Sequence, residues 1–123
     1  MYDRPLVIAI LKSVFSAAER IIKKMAVIDS PMGFSDNDEK RDCLDVICMQ
    51  LAAIGEGLKK IDKLTDGGLL INYTQVDWKG LKGIRDVIAH QYFDISDEAV
   101  FAACRNDIPL LIKTIKQILD DLI

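Results

Sequence analysis

The chain has 123 residues, of which half are hydrophobic and 28% are charged, and its formal net charge is −3. This length suits one domain, and the composition is typical of a folded globular protein. An acidic total argues against nonspecific binding to nucleic acid, so any RNA chemistry requires a local basic patch. The apolar runs are too short for a membrane span, and no secretory signal is visible. We therefore expect a single cytoplasmic domain over residues 1–123 without a membrane partner.

The three cysteines do not form a recognisable metal or disulfide motif. Cys43, Cys48 and Cys104 contain no CxxC pair, and the single histidine cannot complete a usual zinc set with them. We predict reduced, mostly buried thiols and no metal site.

The first helix is predicted from about Arg4 to Ala26, because apolar residues recur there at helical spacing. Residues 30–33 then interrupt the pattern with a proline and a glycine. The apolar stripe consists of Val7, Leu11, Val14, Ala18, Ile21 and Met25.

The second helix is predicted to start after residues 35–38, with Ser35 as its cap, and to end at residues 66–68. Apolar side chains repeat every seven residues along it, which predicts a seam for neighbouring helices. These residues are Leu44, Ile47, Leu51, Ile54, Leu58 and Ile61. Gly55 and Gly57 lie in this helix, where each costs about 1 kcal/mol relative to Ala. Close approach of another backbone is the expected compensation, and nucleotide contact is the alternative.

A shorter third helix is predicted from about Asp77 to Tyr92, and Ser96 is predicted to cap a fourth. Pro109 should bend the fourth helix or leave one carbonyl unpaired. Its apolar spacing is the most regular in the chain, at Phe101, Cys104, Ile108, Leu111, Ile115, Ile118 and Leu122. No segment alternates as a strand would, so we predict an all-α, up-and-down bundle of four helices.

The stretch RDVIAHQYF, residues 85–93, contains the only histidine of the chain. Asp86 and His90 are one helical turn apart, close enough for the carboxylate to orient or charge-stabilise the imidazole. Arg85 and His90 diverge by about 140° on a regular helix, so one helix does not aim both at one phosphate. Either the helix loosens before Phe93, or two chains pack this helix side by side and share a cleft.

A shared cleft suits RNA cleavage without a metal. A base must take the 2′-hydroxyl proton, an acid must protonate the leaving oxygen, and a cation must stabilise the phosphorane. Lys79 and Lys82 add local positive charge. The plainer interpretation is that Arg85, His90 and Tyr92 form a solvated helix face.

Three segments resemble the HEPN superfamily, and in particular the HepT-like toxins encoded beside a minimal nucleotidyltransferase. They are IGEGLKKI (54–61), DWKGLKGIRDVIAHQYFDIS (77–96) and CRNDIPLLIKTI (104–115). The family motif R-x4-H-x-Y falls on Arg85, His90 and Tyr92, and Asp86 is its usual polar residue after the arginine. Gly57 is a departure, since Ala is commoner there, and we expect only a packing effect.

The resemblance implies an all-helical homodimer with a composite ribonuclease site at the protomer interface and no cofactor. Arg85 and His90 would be the catalytic residues and Asp86 a supporting one. The resemblance also implies a type VII-like toxin-antitoxin pair, in which the nucleotidyltransferase antitoxin transfers AMP from ATP to Tyr92. Two other hypotheses are a helical module that docks a nucleotidyltransferase and senses nucleotides, and a purely structural dimer.

Overall fold

A computed structural model describes residues 2–123, with only the backbone described at Tyr92. Over these residues the chain is helical and has no β-strand. The α-helices are α1 (Arg4–Met25), α2 (Asp38–Thr65), α3 (Trp78–Gln91), α4 (Asp97–Ala102) and α5 (Ile108–Leu122). Because α4 continues into α5 through a π-helical turn without a loop, the two together are the predicted fourth helix. The all-α prediction is confirmed, and no described helix combines the length and hydropathy needed to cross a membrane.

The helix ends show one correct and one wrong cap prediction. Ser96 accepts the predicted hydrogen bond at the start of α4, at 3.2 Å. Ser35 does not cap α2, because it belongs to a 3₁₀ turn that buries Phe34. The cap is Asn37, whose side chain accepts a backbone N–H bond at 2.9 Å. The predicted end at residues 66–68 is confirmed, since the backbone turns left-handed directly after α2.

The junction between α4 and α5 is the π-helical turn Ala103–Asp107. Pro109 lacks an N–H group, and in a regular α-helix its ring would collide with the carbonyl four residues earlier. The wider turn accommodates it, with the N–H of Ile108 donating to the carbonyl of Ala103. The disturbance predicted from Pro109 therefore takes the form of a π-helical turn.

The predicted apolar stripes form the core. α1 packs against α2 and α5, and α2 packs against α3. The whole α2 seam is buried, whereas Met25, Ile84 and Phe101 are half-buried at the edge. α3 buries only Leu81 and Ile88, and its main neighbour is α2. One side of α3 therefore faces outward.

α2 and α3 approach closely at Gly55. A Cβ there would lie 2.9 Å from the carbonyl oxygen of Leu81 and 3.0 Å from the Cβ of Arg85. The predicted close backbone approach is therefore confirmed at this glycine. A Cβ at Gly57 would instead lie 2.7 Å from Cγ2 of Val14 on α1. Gly55 therefore allows α3 to pack closely against α2 and fixes the position of the Arg85 Cβ relative to α2.

Candidate functional site

The sequence motif lies at the C-terminal end of α3. The α-helix is regular through Gln91, and a 3₁₀ turn over Tyr92–Asp94 follows. The helix therefore does change its form before Phe93, but only after His90. Arg85 and His90 both project from the regular part and diverge by about 140°. The change of helix type does not bring these two side chains together.

The Arg85 side chain is fixed at its Cβ, whereas its guanidinium group is accessible. Its Cβ packs against Gly55, while its side chain is 43% exposed. Nε lies 3.5 Å from Oε2 of Glu56, and Nη1 lies 3.4 Å from Oδ1 of Asp86. Exposed ion pairs of this kind are weak, contributing about 0–1 kcal/mol. The guanidinium is therefore oriented by two carboxylates but still available to a phosphate.

Asp86 is held by a lysine from α2. Nζ of Lys59 lies 3.2 and 3.3 Å from the two carboxylate oxygens. This hydrogen bond and the charge of Lys59 lower the pKa of Asp86, with a smaller contribution from Arg85. Within the described part of the chain the carboxylate bonds to Lys59 and Arg85, and the predicted contact with His90 is not formed.

His90 is exposed and has no hydrogen bond or ion pair with any described residue. On a regular helix it lies within about 60° of Gly83 and Val87, so the three share one face. Val87 is 45% exposed, and Phe93, just beyond the helix, is 98% exposed. The imidazole therefore stands on an outward, partly apolar surface that another molecule can reach.

The predicted modification target, Tyr92, can be placed only by its backbone, which begins the 3₁₀ turn directly after α3. Its side chain lies outside the described part of the structure. The assignment of Tyr92 as a modification site stays a prediction.

Of the two lysines predicted to add positive charge beside the motif, Lys82 forms an ion pair with Asp62. Lys79 is exposed and forms no ion pair within the described part of the chain. A third lysine, Lys59 of α2, forms an ion pair with Asp86. Sequence reasoning missed Glu56 and Lys59, which orient Arg85 and Asp86. Both missed residues lie within IGEGLKKI, one of the segments that carries the family resemblance, so the signal was present without a role attached.

The cysteines are free thiols, as predicted. Cys48 and Cys104 are buried, whereas Cys43 is only half-buried. Burial raises the pKa of Cys48 to about 11 and that of Cys104 to about 12. Among the described residues, no group of three or more His, Cys, Asp or Glu side chains could hold a metal ion.

The family model and the relatives that match this chain all describe ribonucleases. The family model described as "Ribonuclease HepT-like" matches residues 10–118. A Methanocaldococcus jannaschii protein named "Putative RNase MJ0127" is 28% identical over 101 residues, covering 82% of this chain and 80% of the relative. "Putative RNase MJ0125" from the same organism is 35% identical over 72 residues, covering 58% of this chain and 59% of the relative.

A further relative comes from Caldanaerobacter subterraneus subsp. tengcongensis. This protein, "Putative RNase TTE0752", is 32% identical over 69 residues, covering 56% of this chain and 58% of the relative. No solved structure matches the chain. Because the family model spans most of α1, all of α2 and α3 and the whole motif, this chain belongs to the HepT-like ribonuclease family.

Proposed function

We propose that this protein is a metal-independent endoribonuclease whose cleft is shared by two protomers. The observation that carries the proposal is the divergence of Arg85 and His90 on a regular helix, with both side chains accessible. One copy of α3 cannot direct both groups at one phosphate. Two copies packed side by side can supply an arginine and a histidine from different protomers to a common cleft. Membership of the HepT-like ribonuclease family supports RNA as the substrate.

The outward face of α3 suits such a contact. Nothing lies within 4 Å of where a Cβ on Gly83 would be, so this position is open. Glycine on a helix face allows another helix to approach closely. Val87 and the nearby Phe93 are exposed apolar side chains that a partner would remove from water. A homodimer formed through this face would place the two copies of His90 near each other.

The chemistry needs only groups that this site contains. One neutral His90 accepts the 2′-hydroxyl proton while the 2′-oxygen attacks the adjacent phosphorus. The P–O bond to the 5′-oxygen breaks, and that oxygen takes a proton from the imidazolium of the other protomer. The products are a 2′,3′-cyclic phosphate and a free 5′-hydroxyl. Arg85 stabilises the charge on the phosphorane, and Asp86, fixed by Lys59, helps to orient Arg85.

Cleavage assays with purified protein in the presence of a chelator test this proposal. His90→Ala and Arg85→Ala should each lower the cleavage rate by about 10²- to 10⁴-fold, the usual effect of losing a positioned catalytic group. Both side chains lie outside the core, so circular dichroism should show unchanged folding. Lys113→Ala, an exposed cation on α5, is the matched control and should cleave normally. The mechanism would be contradicted if the His90→Ala variant cleaved RNA at the wild-type rate, or if cleavage strictly required a divalent metal.

We further propose that the protein is the toxin of a type VII-like toxin-antitoxin pair. Its nucleotidyltransferase antitoxin would transfer AMP from ATP to the phenol oxygen of Tyr92, releasing pyrophosphate. The added phosphates would stand near Arg85, oppose its positive charge and block the RNA backbone. Tyr92 follows His90 by two residues in the sequence, which supports a modification close to the proposed cleft.

Co-expression with the antitoxin tests the modification. Mass spectrometry should show whole AMP units on Tyr92, and Tyr92→Phe should escape inhibition. Suppressed activity with an unmodified Tyr92 would show that the antitoxin acts by binding alone. AMP transfer onto a chain that never cleaves RNA would favour the nucleotide-sensing docking module instead.

A further inference from the structure

A groove between α1 and α2 carries positive charge that the proposed mechanism does not use. α1 contains five basic residues and one acidic residue, although the whole chain has a net charge of −3. Lys12, Arg20 and Lys23 line one part of the groove together with Gln50 of α2. All three cations are exposed, and none forms an ion pair in the described part of the chain. The groove is therefore a basic surface on an acidic protein.

The shape of the groove suits a polymer rather than a compact anion. Lys12 and Lys23 are eleven positions apart on α1, a separation of roughly 16 Å, which one phosphate cannot bridge. Glu19 lines this part of the groove as well, and its carboxylate repels a compact anion bound at one point among the cations. Small side chains line the groove, which allows a bound chain to lie near the helix backbones. These small residues include Ser13, Ser16, Ala17 and Ala53.

The groove leads to the motif arginine. It continues along α1 and α2 to Glu56 and Lys60. Oε2 of Glu56 lies 3.5 Å from Nε of Arg85, so one side chain both lines the groove and touches the candidate catalytic residue. A strand that follows the groove therefore arrives beside Arg85. This continuity with a candidate catalytic residue favours an RNA substrate over an acidic protein partner as the molecule that binds the groove.

We propose that the α1–α2 groove binds the sugar-phosphate backbone of single-stranded RNA and directs it toward the cleavage site. Lys12, Arg20 and Lys23 contact phosphates away from the cleaved bond, and the hydroxyls of Ser13 and Ser16 donate hydrogen bonds to backbone oxygens. The inference rests on the proposed ribonuclease function and extends it by assigning a substrate-binding surface outside the motif.

The test compares two variants that lose the same charge. The groove variant combines Lys12→Gln, Arg20→Gln and Lys23→Gln. The control variant replaces three exposed cations that lie outside the groove, through Arg105→Gln, Lys113→Gln and Lys116→Gln. Both are made in the His90→Ala protein so that RNA stays intact, and circular dichroism verifies folding. Fluorescence anisotropy then measures binding of a labelled single-stranded RNA over a range of salt concentrations.

The groove variant should bind about tenfold or more weakly than the control variant, and its slope of log affinity against log salt should be less steep by about 2, because about 0.7 is lost per phosphate contact. Equal affinity and equal slope for the two variants would overturn the proposal. The proposal would also be overturned by a groove variant that binds RNA as well as the control variant but is no longer inhibited by the antitoxin. The groove would then be a docking site for a protein. The effect of His90→Ala on cleavage decides the ribonuclease function separately, because this binding assay needs no cleavage.

Discussion

Replacing Gly55 with Ala should push α3 away from α2 and displace Arg85. The new Cβ would lie 2.9 Å from the carbonyl oxygen of Leu81 and 3.0 Å from the Cβ of Arg85. Ordinary contacts begin at 3.4 Å, so the helices must separate locally by about half an ångström. Both atoms belong to the backbone or are attached directly to it, so a side-chain rotation cannot relieve the clash.

Two opposing effects set the size of the change. Ala is favoured over Gly in a helix interior by about 1 kcal/mol, whereas overpacking a close contact costs about 1–3 kcal/mol. We therefore expect a net loss of about 1 kcal/mol in the free energy of unfolding. α3 packs mainly against α2, so most of this loss should appear as local opening of α3. A loss of this size raises the open fraction roughly fivefold.

Hydrogen exchange measured by mass spectrometry tests this prediction. The α3 amides of Gly55→Ala should exchange faster, and RNA cleavage should fall by up to about 10²-fold, as expected when a catalytic side chain is misplaced. Gly57→Ala is the matched control for the exchange measurement, because its Cβ would meet Val14 and should loosen α1 instead. Wild-type exchange in α3, together with a gain of about 1 kcal/mol in stability, would refute the reasoning.

Three other substitutions or reactions probe separate features. Thr114→Val should raise the free energy of unfolding by about 1 kcal/mol in urea denaturation, because the buried hydroxyl of Thr114 has no hydrogen-bond partner among the described residues. A lower free energy of unfolding would show that the hydroxyl does have a hydrogen-bond partner. Iodoacetamide should label Cys43 in the native protein before the two buried, high-pKa cysteines, and equal labelling rates would contradict their burial. Because its folded-state pKa is lowered, Asp86 stabilises the fold above its ordinary pKa, and this contribution is lost as the pH falls through the lowered value. Lys59→Met should raise the pKa of Asp86 in an NMR titration, and an unchanged titration would show that Lys59 does not set it.

The sequence predicted the helices and the core because burial requires an apolar stripe at helical spacing. The α2 seam and the regular pattern of the fourth helix are buried as expected. Gly55 was also informative, since a glycine in a helix interior needs a compensating close approach. Local capping was predicted where one polar side chain decides it, as at Ser96.

Features that depend on distant residues could not be predicted in this way. The cap of α2 is Asn37 and not the predicted Ser35, because burial of Phe34 holds Ser35 in the preceding 3₁₀ turn. The partner of Asp86 is Lys59, 27 positions away, and no spacing rule within α3 could indicate it. The roles of the motif residues and the homodimer likewise depend on groups outside one chain and stay predictions.

A mixed dimer provides the most direct test of the shared ribonuclease cleft. A wild-type protomer and a His90→Ala protomer, with different affinity tags, can be co-expressed and purified as a heterodimer. The proposed cleft needs one histidine from each protomer, as base and as acid, so this heterodimer should cleave about 10²- to 10⁴-fold more slowly than the wild-type dimer. A heterodimer that keeps about half of the wild-type rate would contradict a site built from two protomers.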